Sequence, residues 1–253
     1  MLKGLGDIKK NQEKMQELMG KDRINYVFLG DRENALIRFL TDGDDVILAN
    51  FHTVEEVIPN GKRWAKYYCS QDATCKYCAQ GINWGEMIFL WCYCKYILHR
   101  QQNPKLDNDP QAQQWKRVKS GDQIFFKEDV NEPRVFRMTP GKGNAYKKAL
   151  IKYAAEYKTL LDRDYRWERE GSGKETTYTL TSRNPSIMAD VVKNIIPTLP
   201  ILEKVVMGEI VSFNGGSVDV KDNDIEDLEE ISESSSDSVE EVVDEENDIE
   251  ELF

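Results

Sequence analysis

The chain has 253 residues, room for one large domain or two small ones. It carries 34 Lys and Arg against 45 Asp and Glu, but seventeen of those acids and a single lysine fall in residues 219–253, leaving 33 basic and 28 acidic side chains in residues 1–218. A mildly basic body with a strongly acidic tail is a charge asymmetry expected of proteins that handle nucleic acid. No run of eighteen apolar residues is present, which argues against a membrane-spanning helix, and the N-terminus has no apolar signal core. The cytoplasm is therefore the expected compartment, with the five cysteines reduced rather than bridged.

Residues 1–22 are rich in Lys, Gln and Glu, and Ile8, Met15, Leu18 and Met19 fall near one helical face. A basic arm that docks on a neighbouring copy and a frayed terminus both fit this stretch. From Ile24 the pattern changes. INYVFL (24–29), ALIRFL (35–40) and VILANFH (46–52) are β-branched and aromatic runs separated by Gly/Asp/Asn turns, and they predict an antiparallel meander. Arg38 alternates with Ile37 and Phe39, so it is expected to face outward, where it joins the candidate phosphate contacts.

The next stretch, His52 to Cys78, carries the sharpest chemistry. Cys75 and Cys78 form a C-x2-C knuckle, a spacing that lets two thiolates reach one tetrahedral ion. Five residues separate Cys69 from Cys75, and sixteen separate His52 from Cys69. Three sulfurs and one imidazole make a closed four-ligand set suited to structural Zn2+. Cys92 and Cys94 follow closely, so Cys75, Cys78, Cys92 and Cys94 would also make an acceptable set. The first set is favoured because Cys92 and Cys94 lie in a predicted strand, facing the core. Buried thiols and a redox pair are the blander readings of the cysteines. Between the ligands run Lys62, Arg63, Trp64, Lys66, Tyr67 and Tyr68, cations interleaved with aromatic rings, a composition suited to phosphates and stacked bases.

Residues 86–98 (EMIFLWCYCKYIL) are the longest apolar run and read as a strand. Met87, Phe89, Trp91, Tyr93 and Lys95 share one face; Ile88, Leu90, Cys92, Cys94, Tyr96 and Leu98 share the other and are expected in the core. Trp91, Tyr93 and Lys95 form a stacking platform if their face opens to a groove, and core if it does not. Residues 99–118 read as a loop. GDQIFFKED (121–129) and PRVFRM (133–138) predict a hairpin. An amphipathic helix is predicted over 143–164. The strands DYRWERE (164–170) and ETTYTLTS (175–182) follow, with Arg166, Trp167, Arg169 and Tyr178 as a second basic-aromatic surface. Short helices broken at Pro197 and Pro200 fill 185–213. The Asp/Glu/Ser composition after that predicts a disordered acidic tail, residues 214–253.

Several of these features occur together in one known family. IRFL at 37–40, a His ending the next strand, G-K-R-W at 61–64, C-x5-C-x2-C at 69–78, LDRDYRWEREGSGKETTYTL at 161–180 and an acidic Ser-rich tail follow in that order. The chain resembles the T-even phage single-stranded-DNA-binding, helix-destabilising proteins, although its His-to-Cys interval is longer and its Cys-to-Cys interval shorter than theirs. The resemblance implies a mainly β OB-fold core with helical additions over residues 23–213, a zinc subdomain over about 52–85, and His52, Cys69, Cys75 and Cys78 as ligands. It implies binding of single-stranded DNA without catalysis, possible self-association along the strand, and an infected host cytoplasm. The last residues, Asp248, Ile249, Glu250, Glu251, Leu252 and Phe253, look like the acidic, aromatic-ended tips of bacterial and other phage single-stranded-DNA-binding proteins. Such a tip is expected to recruit replication and recombination proteins.

Overall fold

The computed structural model describes residues 24–58, 61–138, 145–210 and 229–230. The predicted N-terminal arm and nearly all of the acidic tail, its tip included, lie outside them. Nine strands are described: β1 (Asn34–Phe39), β2 (Ile47–Ile58), β3 (Gly61–Tyr68), β4 (Trp84–His99), β5 (Lys116–Ser120), β6 (Gln123–Met138), β7 (Arg163–Glu170), β8 (Thr177–Pro185) and β9 (Glu229–Glu230). The α-helices are α1 (Lys76–Ala79), α2 (Ala145–Tyr157), α3 (Asp190–Ile195) and α4 (Leu202–Met207).

The strands form one antiparallel sheet in the order β8–β7–β1–β4–β6–β5–β9, with β2 on β4 and β3 on β2. β4 organises it. Its sixteen residues are dense in aromatic and β-branched side chains and apolar on both faces, the pattern of a strand buried on both sides. One edge of β4 carries β6 along most of its length. The other edge is divided: β2 takes Trp84–Phe89 and β1 takes Cys92–Leu98. The predicted meander is therefore corrected. β1 lies between β4 and β7, and residues 24–29 contribute only a bridge, Tyr26 to Val135.

Both faces of β4 are filled. Ile88, Leu90, Cys92 and Cys94 pack with Ala35, Ile37, Phe39, Phe136, Tyr165 and Trp167 beneath α2. Met87, Phe89, Trp91 and Tyr93 pack with Val192 and Ile195 of α3 and Leu202, Val205 and Val206 of α4. A register shift between Cys94 and Tyr96 changes the alternation. Tyr96 and Leu98 then meet Leu36, Val118 and Phe125 in a third cluster.

Other boundaries moved for local reasons. The predicted hairpin within 121–138 is one strand, β6, and its hairpin partner is β5, drawn from the end of the predicted loop. α2 stops at Tyr157 rather than 164. Lys158 adopts a left-handed φ of 67°, and the Asp42 carboxylate accepts from the Leu160 N–H at 2.9 Å and the Thr159 hydroxyl at 2.8 Å. Among the described residues no helix is long and apolar enough to cross a membrane.

Candidate metal centre and nucleic-acid interface

His52, Cys69, Cys75 and Cys78 converge. His52 lies on β2 opposite Tyr67 of β3 and is fully buried. Cys69 follows β3, its N–H donating to the Asn50 carbonyl at 2.8 Å. Asp72 shapes the turn between Cys69 and Cys75 by accepting from the Thr74 N–H at 2.8 Å and hydroxyl at 2.6 Å. Cys75 then caps α1, which brings Cys78 round beside it.

The four ligand atoms lie within 4.8 Å of one another. His52 Nε2 is 3.4 Å from Cys75 Sγ and 3.5 Å from Cys78 Sγ. Cys69 Sγ is 3.4 Å from Cys78 Sγ and 4.0 Å from Cys75 Sγ. A tetrahedral ion with metal–sulfur bonds of about 2.3 Å and a metal–nitrogen bond of about 2.0 Å needs edges of roughly 3.5–3.8 Å, so the cluster fits a metal. The electrostatics agree. Backbone N–H groups, Cys78 first and also Tyr77, lower the Cys75 thiol to about 6, with burial opposing. Cys78 is pushed up to about 12 by its contact with Cys69, by burial and by Cys75. Cys75 and Cys78 are thus pushed in opposite directions, an imbalance that a cation bound between them would remove. Cys92 and Cys94 stand apart in the core, their thiols raised by burial, and take no part in this cluster.

The β2–β3 hairpin sorts its cations and rings onto two faces. Lys62, Trp64, Lys66 and Tyr68 share one, and Trp64 is 70% exposed. Arg63 and Tyr67 share the other, above the metal ligands. There Tyr67 packs on Tyr77 at 4.8 Å, Tyr77 packs on His52, and Lys76 lies over the Tyr77 ring at 4.6 Å. Tyr77 was not singled out by the sequence, although its place inside the knuckle was the available signal. Lys62 pairs with Glu55 at 3.1 Å and Arg63 with Glu56 at 2.7 Å. Tyr67 also donates its hydroxyl to Glu56.

The body treats its candidates differently. Arg38 is a correction: it is buried, donating to the Leu161 carbonyl at 2.8 Å, to Ser186 Oγ at 2.8 Å and to the Ser186 carbonyl at 2.7 Å. It and Lys95 share the buried Asp164 carboxylate, at 3.3 and 3.0 Å. The platform expectation for Trp91 and Tyr93 is corrected too. Both are covered by α3 and α4, and the Trp91 indole N–H donates to the Pro200 carbonyl at 3.1 Å. Trp167 is core, stacked on the half-buried Tyr178 at 4.9 Å. Arg166 pairs with Glu168 at 2.9 Å, and Arg169 donates to the Leu29 carbonyl at 2.6 Å. Both arginines line a cleft of about 280 Å³ with Arg32, Gln123 and Phe125. Arg38, Trp91, Tyr93 and Trp167 thus act inside the fold, while the hairpin candidates remain at the surface.

Comparison of this chain with family models, with curated proteins and with solved structures gives no match.

Proposed function

We propose that this protein binds single-stranded DNA, largely without sequence preference and without catalysis, as a zinc-bearing OB-fold protein of the T-even phage helix-destabilising type. The observation that carries the proposal is the open face of the β2–β3 hairpin. Lys62, Trp64, Lys66 and Tyr68 stand side by side there, on a hairpin rooted at a donor cluster of one histidine and three cysteines. Exposed rings in a row of cations suit a flexible strand: bases stack on the rings in any order, and the cations displace counterions from phosphates.

Three thiolates and an imidazole favour zinc over harder cations. With four protein ligands the ion has no open position for a substrate, so its role is to hold the root of the hairpin. The antiparallel sheet around an apolar interior, closed over by α2, supports the OB assignment. The resemblance supplies the biological setting: phage replication, recombination and repair in the cytoplasm of an infected cell, with the DIEELF tip recruiting partner proteins and the N-terminal arm joining neighbouring copies.

The acidic tail is assigned a competing role. Its described residues, Glu229–Glu230, pair with β5, the strand that carries Lys116, Arg117 and Lys119. A polyanion held there competes with DNA for basic surface. Removal of residues 219–253 is therefore expected to tighten binding at low salt; unchanged or weaker binding refutes the competition.

The decisive experiment is fluorescence titration with oligo-dT and with an oligo-U of equal length at two salt concentrations, with metal content measured on the same sample. Submicromolar dT binding that weakens with salt, with one zinc per chain, is expected. Preference for the ribo-oligomer would move the protein to the RNA-binding zinc-ribbon class. No binding to either, even without the tail, overturns the proposal.

A further inference from the structure

The open face of the hairpin does not stop at β3. Phe51 of β2 is the cross-strand partner of Tyr68 on one side and of Gly85 of β4 on the other. Directly paired residues point to the same face, so Tyr68, Phe51 and the bare backbone of Gly85 lie side by side. The Phe51 ring meets Tyr68 at 5.9 Å and 77°, edge to face, and packs on Phe89 at 5.4 Å. Farther along β4 the same face carries Met87, Phe89, Trp91 and Tyr93, all buried against α3 and α4. Gly85 is the first position past that cover, and it is exposed.

A glycine here needs a reason, because glycine is a poor strand residue and a β-branched or aromatic side chain would stabilise the position. The backbone does not require it: Gly85 is not among the glycines with a left-handed φ, unlike Gly81 just before the strand, at 71°. The ladder does not require it: β2 pairs with β4 without a bulge from Ile47–Phe89 to His52–Trp84. Packing does not require it: among the described residues, a Cβ built on Gly85 meets nothing within 4 Å. What remains is the close approach of a group from outside the described fold. The surroundings indicate its chemistry. Half-buried Phe51 offers a ring beside the gap, and exposed Tyr68 and Trp64 continue the face along β3. Exposed Lys66 lies between those two rings and reaches the Thr53 hydroxyl, two residues beyond Phe51 on β2, at 3.1 Å. Rings and a cation around a strip of bare backbone suit a flat, uncharged ring tethered to a phosphate, which is a nucleobase.

We propose that Gly85 is the floor of a slot for one unpaired base of a bound single strand, the base lying over the bare backbone and against the Phe51 ring. Tyr68 backs Phe51 from the far side and takes the next base toward Trp64. A planar ring resting on backbone atoms sits about 3.5–4.0 Å above them, in the space that any side chain at position 85 would occupy. This rests on the single-strand reading above and deepens it, because it carries the strand from the hairpin onto the β2–β4 ladder and gives one nucleotide a defined seat. Gly85 did not stand out in the sequence.

The test compares G85A, G85V and G85L with the parent chain for oligo-dT affinity at several salt concentrations, with the thermal midpoint and metal content measured on each protein. The space over Gly85 admits a side chain and valine favours a strand, so G85V should keep or raise the thermal midpoint and hold as much metal as the parent. Its side chain fills the slot, so oligo-dT should bind about tenfold more weakly, the loss of one stacked base. G85A adds a single methyl group, is expected to lose about threefold, and carries the test if the larger variants fail to fold. The slope of log affinity against log salt should stay at the parent value, because no cation is removed; a lost phosphate contact would reduce it by about 0.7. Parental affinity in G85V and G85L overturns the slot and leaves the single-strand reading standing. Weaker binding accompanied by a lower thermal midpoint or lost metal in all three variants makes Gly85 a structural residue and overturns the slot. A parent that sediments as an oligomer and dissociates in G85V gives the space to a second copy and overturns it too. Failure of the parent to bind oligo-dT overturns both readings.

Discussion

The β2–β3 hairpin and the central strand β4 are built from the same materials and end in opposite environments. Each is rich in aromatic rings, and each carries a tryptophan with a cation on the same face. Trp64 is 70% exposed, whereas Trp91 is 4% exposed. The difference lies in what is available to cover them. β2 pairs with β4 only as far as His52, and beyond that point β2 and β3 have each other alone. The outer half of the hairpin leaves the body, and no described element packs on its Trp64 face. β4 lies at the centre of the sheet, where α2 closes one face and α3 and α4 the other. Alternation says which side chains share a face. It does not say whether a segment far along the chain will lie on that face.

The largest expected effect separates the two regions physically. Replacing Cys78 with Ser, or stripping the ion with a chelator, is expected to take metal content from one per chain to none. The hairpin and knuckle should then become protease-sensitive between residues 50 and 82, while the body still unfolds cooperatively. Structural zinc sites in small modules contribute about 10–16 kcal/mol to their folding, enough to decide whether a small arm is ordered. A C78S chain with unchanged metal content and unchanged cleavage would remove the metal centre from the account.

Next comes the buried ion cluster of the body. Arg38→Met deletes the donor that holds the Leu161 carbonyl, Ser186 and one oxygen of Asp164. Asp164 then keeps Lys95 but loses the other half of its charge balance. Breaking a buried pair typically costs about 3–5 kcal/mol, and urea denaturation should show a loss of that size. A loss under about 0.5 kcal/mol would mean that Arg38 is effectively a surface residue, as the sequence pattern suggested.

The tryptophans themselves give a crossed experiment. Trp91→Ala opens a cavity in the core and is expected to cost about 3–5 kcal/mol of stability. Trp64→Ala should leave stability within about 0.5 kcal/mol and weaken oligo-dT binding by about 1–3 kcal/mol. If Trp64→Ala instead destabilises the fold, or binds as well as the parent, the contrast between the two regions fails.

How much of this was legible follows from which forces act locally. The knuckle was readable because its spacing is a local constraint, and His52 and Cys69 were favoured because Cys92 and Cys94 read as core; the β2–β3 hairpin that brings His52 and Cys69 together was not predicted. β4, β7 and the Pro-broken helices were readable from composition and period. The meander was not, because strand neighbours are chosen by which edges remain open, and β4 offers its edges to β1, β2 and β6 at once. The burial of Arg38 was hidden for a related reason. Its partners, Leu161, Asp164 and Ser186, are more than 120 residues away, and only they make a charge tolerable inside a sheet. Tyr77 was missed because the rings it packs on, His52 and Tyr67, come from the two strands of the hairpin.

The smallest expected effect is a pH dependence confined to the body. His99, at the end of β4, is held between Glu33 at 3.0 Å and Glu128 at 3.1 Å, and its ring stacks on Trp115 at 3.9 Å. Burial alone would lower its pKa, but the hydrogen bonds and charges of Glu128 and Glu33 raise it to about 9. The folded chain therefore binds this proton more tightly than the unfolded chain, whose imidazole titrates near 6.5. Between those values the native state carries more protons, so stability falls as pH rises. The contribution is complete below pH 6.5 and is lost by the time pH has passed 9. Glu33 works in the opposite direction: burial would raise its pKa, yet its bond to His99 lowers it, so its share disappears as pH drops below 4.5. Urea midpoints measured from about pH 6 to 9.5 should decline in the parent and flatten in H99Q, with metal content constant across the range. A parallel decline in both chains would assign the slope to other groups and leave His99 as a neutral ring packed on Trp115.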